Sequence, residues 1–197
     1  MSETTPHKKY EAIVMGVSAG GLAALTAILP HLSNKIGLPV LIVQHISSDS
    51  DDFLATHFNR ICSLSVKEAE DKETLVNDTI YFAPANYHLM VEQDKTIALS
   101  TAEPVQYSRP SIDILFETAA DAYVDKLISI ILTGSNSDGT NGILRIRQLK
   151  GLAIAQSPES AEVDIMPLSA INQAGIDKIL DLNEIAPYIN LITVKET

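Results

Sequence analysis

The chain has 197 residues, 46% of them hydrophobic and 20% charged, which suits one globular domain and excludes a wholly disordered polymer. Fourteen Lys and Arg against 25 Asp and Glu give a net charge of -11, which argues against a nucleic-acid partner because phosphate contacts need clustered cations. The single cysteine, Cys62, excludes an intrachain disulfide framework and a multi-cysteine zinc site, and it fits a reducing compartment.

Residues 1–9 are expected to form a flexible tail. Residues 12–34 then run 23 positions without a formal charge, long enough to suggest a membrane span. The stretch is not uniform, however. A strand-like run, Ile13-Val14-Met15, breaks at Gly16-Val17-Ser18-Ala19-Gly20-Gly21 and resumes as a helical pattern from Leu22. Adjacent glycines each weaken a helix by about 1 kcal/mol, so a strand, a tight turn and a helix over 22–32 explain the pattern better than one long helix. The chain is therefore expected to be soluble and cytoplasmic. Residues 39–44 read as a second apolar strand. Residues 51–61 read as a helix that Asp49 or Ser50 would cap. Short strands follow at 64–66 and 79–83. Residues 88–92 and 96–99 suggest a β-hairpin. A helix is expected over 111–124, with Pro110 in its first turn and Ser108 or Arg109 as the cap. Residues 127–132 form a β-branched strand. The remainder alternates: helix 142–149, strand 152–155, helix 167–174, strand 178–182, helix 184–191.

Apolar strands alternating with helices indicate an α/β fold: a doubly wound, mostly parallel sheet with helices on both faces and a β-hairpin near 88–99. No linker divides residues 10–197, which are expected to form a single domain.

In open α/β sheets, sites lie at the carboxyl ends of strands. Three such ends carry reactive residues: Ser18 after the first strand, His45 after the second, and Asp138 in the loop after 127–132. A serine hydroxyl is a weak nucleophile and needs a histidine to take its proton. A carboxylate then fixes the imidazole tautomer. Gly16-x-Ser18-x-Gly20 between strand and helix matches a nucleophile elbow, although such a turn also serves plain packing. The chain order Ser, His, Asp differs from the Ser, Asp, His order of α/β-hydrolases. Ser18 stands where a dinucleotide fingerprint needs its second glycine, and no P-loop is present.

The residues carrying this trio also carry a resemblance. Gly16-Val17-Ser18-Ala19-Gly20-Gly21, Val43-Gln44-His45, Arg109-Pro110-Ser111-Ile112-Asp113, Thr133-Gly134 through Ser137-Asp138-Gly139, Ala155-Gln156 and Met166-Pro167 occur in an order that resembles the catalytic domain of the CheB-type chemotaxis protein-glutamate methylesterases. The resemblance spans about 11–182. It implies that Ser18, His45 and Asp138 form a catalytic triad for hydrolysing glutamate γ-methyl esters on the cytoplasmic helical domain of a chemoreceptor or similar signalling protein, with glutamine deamidation in some members. No cofactor and no metal are implied. Backbone N–H groups near Ala19 and in the Gly134–Asn136 turn, including Ser135, would hold the oxyanion. The family's usual receiver domain has no room in residues 1–9, so a regulator would act in trans.

Further expectations surround this site. Ala19, Ser135 and Ile165 depart from the threonine, methionine and glycine frequent in chemotactic members. These departures keep two rivals open: a catalytically weak or silent binding module in a signalling complex, and an esterase for another ester or amide. His88 is placed on the cleft rim. Arg109 is either an ion-paired helix cap or a substrate-side cation, and Met166 is either core filler or pocket wall. Asp113 and Asp121 are read as solvated helix-face charges, and Cys62 as a small buried hydrophobe. Because the expected substrate is itself acidic, the chain's acidity should lie away from the Ser18 edge, with cations nearer the cleft.

Overall fold

The computed structural model describes residues 10–45 and 53–194. The expected tail, and the proposed caps Asp49 and Ser50, lie outside the described residues. Seven parallel strands form one sheet in the order β3-β4-β2-β1-β7-β8-β9. They are β1 (Ala12–Val17), β2 (Val40–Gln44), β3 (Ser65–Glu68), β4 (Thr79–Phe82), β7 (Leu127–Ile131), β8 (Leu152–Gln156) and β9 (Lys178–Leu180). An antiparallel hairpin, β5 (His88–Val91) and β6 (Ile97–Ser100), stands apart from this sheet. The helices are α1 (Gly21–Ile28), α2 (Phe53–Ile61), α3 (Ile112–Tyr123), α4 (Thr140–Gln148), α5 (Ile165–Gln173) and α6 (Leu182–Thr193).

Strand pleating decides which side each residue serves. In β1, Ile13, Met15 and Val17 join one apolar cluster, with α1 and α6 residues such as Leu25, Ile28, Ile185 and Ile189. Ala12 and Val14 join the opposite cluster, with Leu115 and Phe116 of α3 and Ile143 of α4. Helices therefore cover both faces, which is why the central strands are apolar throughout rather than alternating.

The uncharged 12–34 stretch is β1, a glycine turn, α1 and a short 3-10 turn. Among the described residues, no helix is long and apolar enough to cross a membrane. The helix expected at 111–124 begins one residue later, and Pro110 lies outside it. Its N-cap is Ser111, not Ser108 or Arg109. The reason is tertiary: a carboxylate from another loop, described below, satisfies the first N–H groups.

Candidate active site

The chain leaves β1 toward β2, fills that half of the sheet, and returns to β7 on the other side of β1. The order of strands reverses between β1 and β7, and crevices at such switch points are where doubly wound sheets place their ligands. Ser18 follows β1, His45 follows β2, and Asp138 lies in the turn between β7 and α4. The parallel ladder continues past the strand ends: His45 N–H donates to the Val17 carbonyl (3.0 Å) and Ser18 N–H to the Thr133 carbonyl (3.0 Å). Three residues far apart in sequence are thereby fixed at one edge.

Ser18 Oγ lies 3.2 Å from His45 Nδ1, and His45 Nε2 lies 2.8 Å from Asp138 Oδ2. The sequence trio is assembled, with Asp138 on the far side of the imidazole. An ionised Asp138 makes Nε2 the proton-bearing nitrogen and leaves the Nδ1 lone pair toward Ser18. The ring is used in the opposite sense from the serine-protease template, where Nε2 faces the serine. Either nitrogen can act as base if the carboxylate holds the other.

Asp138 is fully buried, yet it is richly bonded. Oδ2 accepts the Ile112 N–H (2.7 Å), and Oδ1 accepts the Asp113 N–H (2.9 Å) and the Ser111 hydroxyl (3.0 Å). The carboxylate thus caps α3 from outside that helix, at the positive end of its dipole. Burial alone would raise its pKa. The His45 hydrogen bond and the N–H groups of Asp113 and Ile112 outweigh burial and hold the carboxyl below its ordinary range.

Asp113 corrects the sequence reading. It is not a solvated helix-face charge but is only 3% exposed. Its carboxylate accepts the Gly142 N–H in α4 (2.8 Å), the Asn141 side-chain amide (3.1 Å) and the Gln106 side-chain amide (3.1 Å). The two helices exchange caps, Asp138 serving α3 and Asp113 serving α4. Burial raises the Asp113 pKa; the Gly142 N–H opposes this and the nearby Asp138 charge adds to it. Asp121 does lie on the surface, paired with Arg145 at 2.7 Å.

Two polar side chains to which sequence reasoning gave no role brace the turns. Gln44 Nε2 donates to the carbonyls of Ser18 (3.0 Å) and His45 (2.9 Å), joining the two strand ends. The same side chain lies so close to Gly21 that a Cβ there would overlap Gln44 Oε1. Thr133 Oγ1 sits 2.8 Å from the Ala19 carbonyl and accepts the Val163 N–H (2.9 Å), tying the Ser18 turn to the segment before α5. Both fall in segments that carry the family resemblance and both are polar at the end of an apolar strand, but neither signal named a partner.

The other candidates separate clearly. Among the described residues, the Ala19, Ser135 and Asn136 N–H groups donate to no protein acceptor. The Gly134 N–H is taken by the Val163 carbonyl (2.9 Å), so this part of the expected oxyanion turn is already engaged. Met166 is core filler rather than pocket wall: it is fully buried, and a Cβ on Gly134 would lie 2.7 Å from its sulfur. His88 is likewise buried, not on the rim. Arg109 neither caps α3 nor forms an ion pair among the described residues; its Nη1 donates to the carbonyls of Thr101 (2.9 Å) and Ala102 (3.0 Å), bracing the loop before α3. The electrostatic expectation also fails locally. The exposed Glu162 packs its side chain against Gly20, so a carboxylate stands on the glycine turn that follows Ser18.

A doubly wound α/β domain with serine, histidine and buried aspartate at its switch point has the arrangement that serine hydrolases use. The family profile described as CheB methylesterase matches residues 13–189, and the chain belongs to that family. A Leptospira interrogans protein bearing the provisional name protein-glutamate methylesterase/protein-glutamine glutaminase is 50% identical over 177 residues, covering 90% of this chain and 92% of that one. A Desulfotalea psychrophila protein-glutamate methylesterase/protein-glutamine glutaminase is 37% identical, and the chain spans 51% of its length. The crystal structure of the Thermotoga maritima CheB methylesterase catalytic domain superposes with a TM-score of 0.88 at 32% identity, covering 92% of this chain and 97% of that domain.

Proposed function

We propose that this protein is a serine esterase that removes γ-methyl esters from glutamate side chains of a chemoreceptor-type signalling protein, with Ser18, His45 and Asp138 as its catalytic residues. The observation that carries the reading is the continuous hydrogen-bonded line Ser18 Oγ, His45, Asp138, at 3.2 and 2.8 Å, in a chain of the CheB methylesterase family.

Ser18 Oγ attacks the ester carbonyl while His45 Nδ1 takes its proton. The imidazolium so formed is held by the Asp138 carboxylate, whose α3 cradle keeps it ionised. The oxyanion develops beside the Ala19 N–H and the Ser135–Asn136 turn, and each such donor is typically worth ~10²–10³ in rate. His45 returns its proton to the departing methoxide, releasing methanol. Water then enters, His45 takes its proton, and the acyl-enzyme opens to free glutamate and Ser18. A glutamine side chain follows the same path with ammonia leaving, which the double name of the relatives favours as a second activity.

Two assays on the same protein test the reading. Methanol release from a methylated receptor fragment is expected from the wild type and lost in Ser18→Ala. Fluorophosphonate labelling is expected at Ser18 and absent in the same variant. Labelling without methanol release would assign the site to another ester or amide. Failure of the folded wild type to label would favour the binding module.

A further inference from the structure

The His88 imidazole is only 1% exposed and has no part in the steps above. Its Nδ1 lies 3.2 Å from the Ser111 backbone nitrogen, and its Nε2 lies 3.1 Å from the Glu103 carbonyl oxygen. A backbone N–H can only donate and a carbonyl can only accept. Nδ1 is therefore the acceptor and Nε2 carries the ring proton. One neutral tautomer satisfies both partners and leaves no ring nitrogen for substrate.

What His88 holds is the residue on which the Asp138 cradle is built. Ser111 is fully buried and is the N-cap of α3. An ordinary serine cap bonds its own helix. Here the hydroxyl donates across to Asp138 Oδ1, and the next two N–H groups, Ile112 and Asp113, donate to the same carboxylate. Among the described residues, three of the four hydrogen bonds to Asp138 thus come from three consecutive residues. The Ser111 N–H precedes the helix ladder, and without His88 it would be a buried donor with no acceptor. The ring also ties together β5, the 101–109 loop through Glu103, and the start of α3.

We propose that His88 is a positioning residue: through the Ser111 N–H it sets the α3 start that holds Asp138 against His45. This rests on the reading of Asp138 as the catalytic partner of His45. A shift of Ser111 moves its hydroxyl and both following N–H groups together, and with them the carboxylate and the imidazole. Displacements on the ångström scale at such a site cost up to ~10²-fold in rate.

The test compares His88→Ala, His88→Asn and His88→Gln in the whole protein. The Asn side chain places an acceptor where Nδ1 stands; Gln reaches instead toward the Nε2 position. Turnover is normalised to sites titrated by fluorophosphonate. The low-field NMR resonance of the His45 N–H bonded to Asp138 reports their geometry without turnover. In His88→Ala, kcat should fall roughly tenfold to hundredfold with KM unchanged, and the resonance should move. His88→Asn should restore both toward wild type, and His88→Gln should not. The proposal is overturned if His88→Ala keeps wild-type kcat and resonance. It is also overturned if Asn and Gln lower kcat equally and only in step with thermal stability. If the wild type shows no turnover, the esterase reading fails, yet an unmoved resonance in His88→Ala would still refute the positioning role.

Discussion

The neighbouring aspartates Asp138 and Asp113 should respond oppositely to the same substitution. Among the described residues Asp138 accepts four hydrogen bonds, two on each oxygen. Asp138→Asn replaces one oxygen with an amide donor. An NH2 at the Oδ2 place would face the Ile112 N–H, 2.7 Å from that oxygen, and would force the His45 proton onto Nδ1, against Ser18. An NH2 at the Oδ1 place would face the Asp113 N–H, 2.9 Å from that oxygen. Either orientation leaves a buried backbone donor against another donor, at a cost of about 1–3 kcal/mol. It also removes a negative charge from the α3 N-terminus, worth about 0.3–1 kcal/mol more. A loss of about 1.3–4 kcal/mol is expected, with kcat falling ~10⁴-fold where the wrong tautomer is imposed. Asp113→Asn differs. Its retained oxygen can face the Gly142 N–H, and its amide can face Gln106 and Asn141, whose own side-chain amides can rotate to accept. The substitution removes a charge that burial and Asp138 both disfavour, so stability at pH 7 should stay within about 1 kcal/mol of wild type, on the stabilised side. Urea unfolding of both variants, read by midpoint and slope, makes the comparison. If Asp113→Asn loses as much stability as Asp138→Asn, or if Asp138→Asn loses none, the reciprocal-cap argument is wrong.

Three further outcomes are expected. Because the folded pKa of Asp138 is depressed, its stabilisation is present above the unfolded value of about 3.9 and is lost as pH falls through the lower folded value. Asp113, with a raised folded pKa, has the opposite sign and loses stabilisation as pH rises from its unfolded value toward the folded one. Acid titration of the unfolding free energy should therefore show a drop below about pH 4 that is smaller in Asp138→Asn, the remainder belonging to the other lowered carboxylates, Glu11, Asp94 and Glu159. Gly21→Ala should destabilise by about 1–3 kcal/mol, because the new methyl must displace the Gln44 side chain that joins Ser18 to His45; thermal unfolding and fluorophosphonate labelling rates should fall together. Glu162→Gln should raise kcat/KM for an acidic protein substrate by a few-fold at low ionic strength, an effect that disappears near 1 M salt, where screening acts within about 3 Å. A salt-independent change would mean that Glu162 acts by shape rather than charge.

Much of this architecture was legible from periodicity. Continuous apolar strands between amphipathic helices signalled a two-faced parallel sheet, and the glycine turn after β1 separated a strand and helix from a membrane span. The convergence of Ser18, His45 and Asp138 was legible because all three lie beyond the carboxyl ends of neighbouring strands, at one edge of the sheet. The start of α3 was misplaced because Pro110 is a local signal, whereas the cap that counts is a carboxylate 26 positions further on than Ile112. Asp113 was misread for the same reason: an acidic residue in a first helical turn ordinarily faces water, and only the approach of α4 buries it.

The division follows from the range of the forces involved. Backbone conformation and apolar patterning act over a few residues, so the sequence by itself determined the order of elements, the two-faced sheet and the three strand ends that carry Ser18, His45 and Asp138. Hydrogen bonds between residues distant in the chain exist only after the sheet has closed. The tertiary structure alone therefore decided that Asp138 caps α3, that Asp113 caps α4, that His88 holds Ser111 instead of lining a cleft, and that Glu162 sets a negative charge against Gly20 of the turn after β1. The net charge of -11 described the whole molecule; only the packing of Glu162 on Gly20 decided that part of it stands at the Ser18 edge.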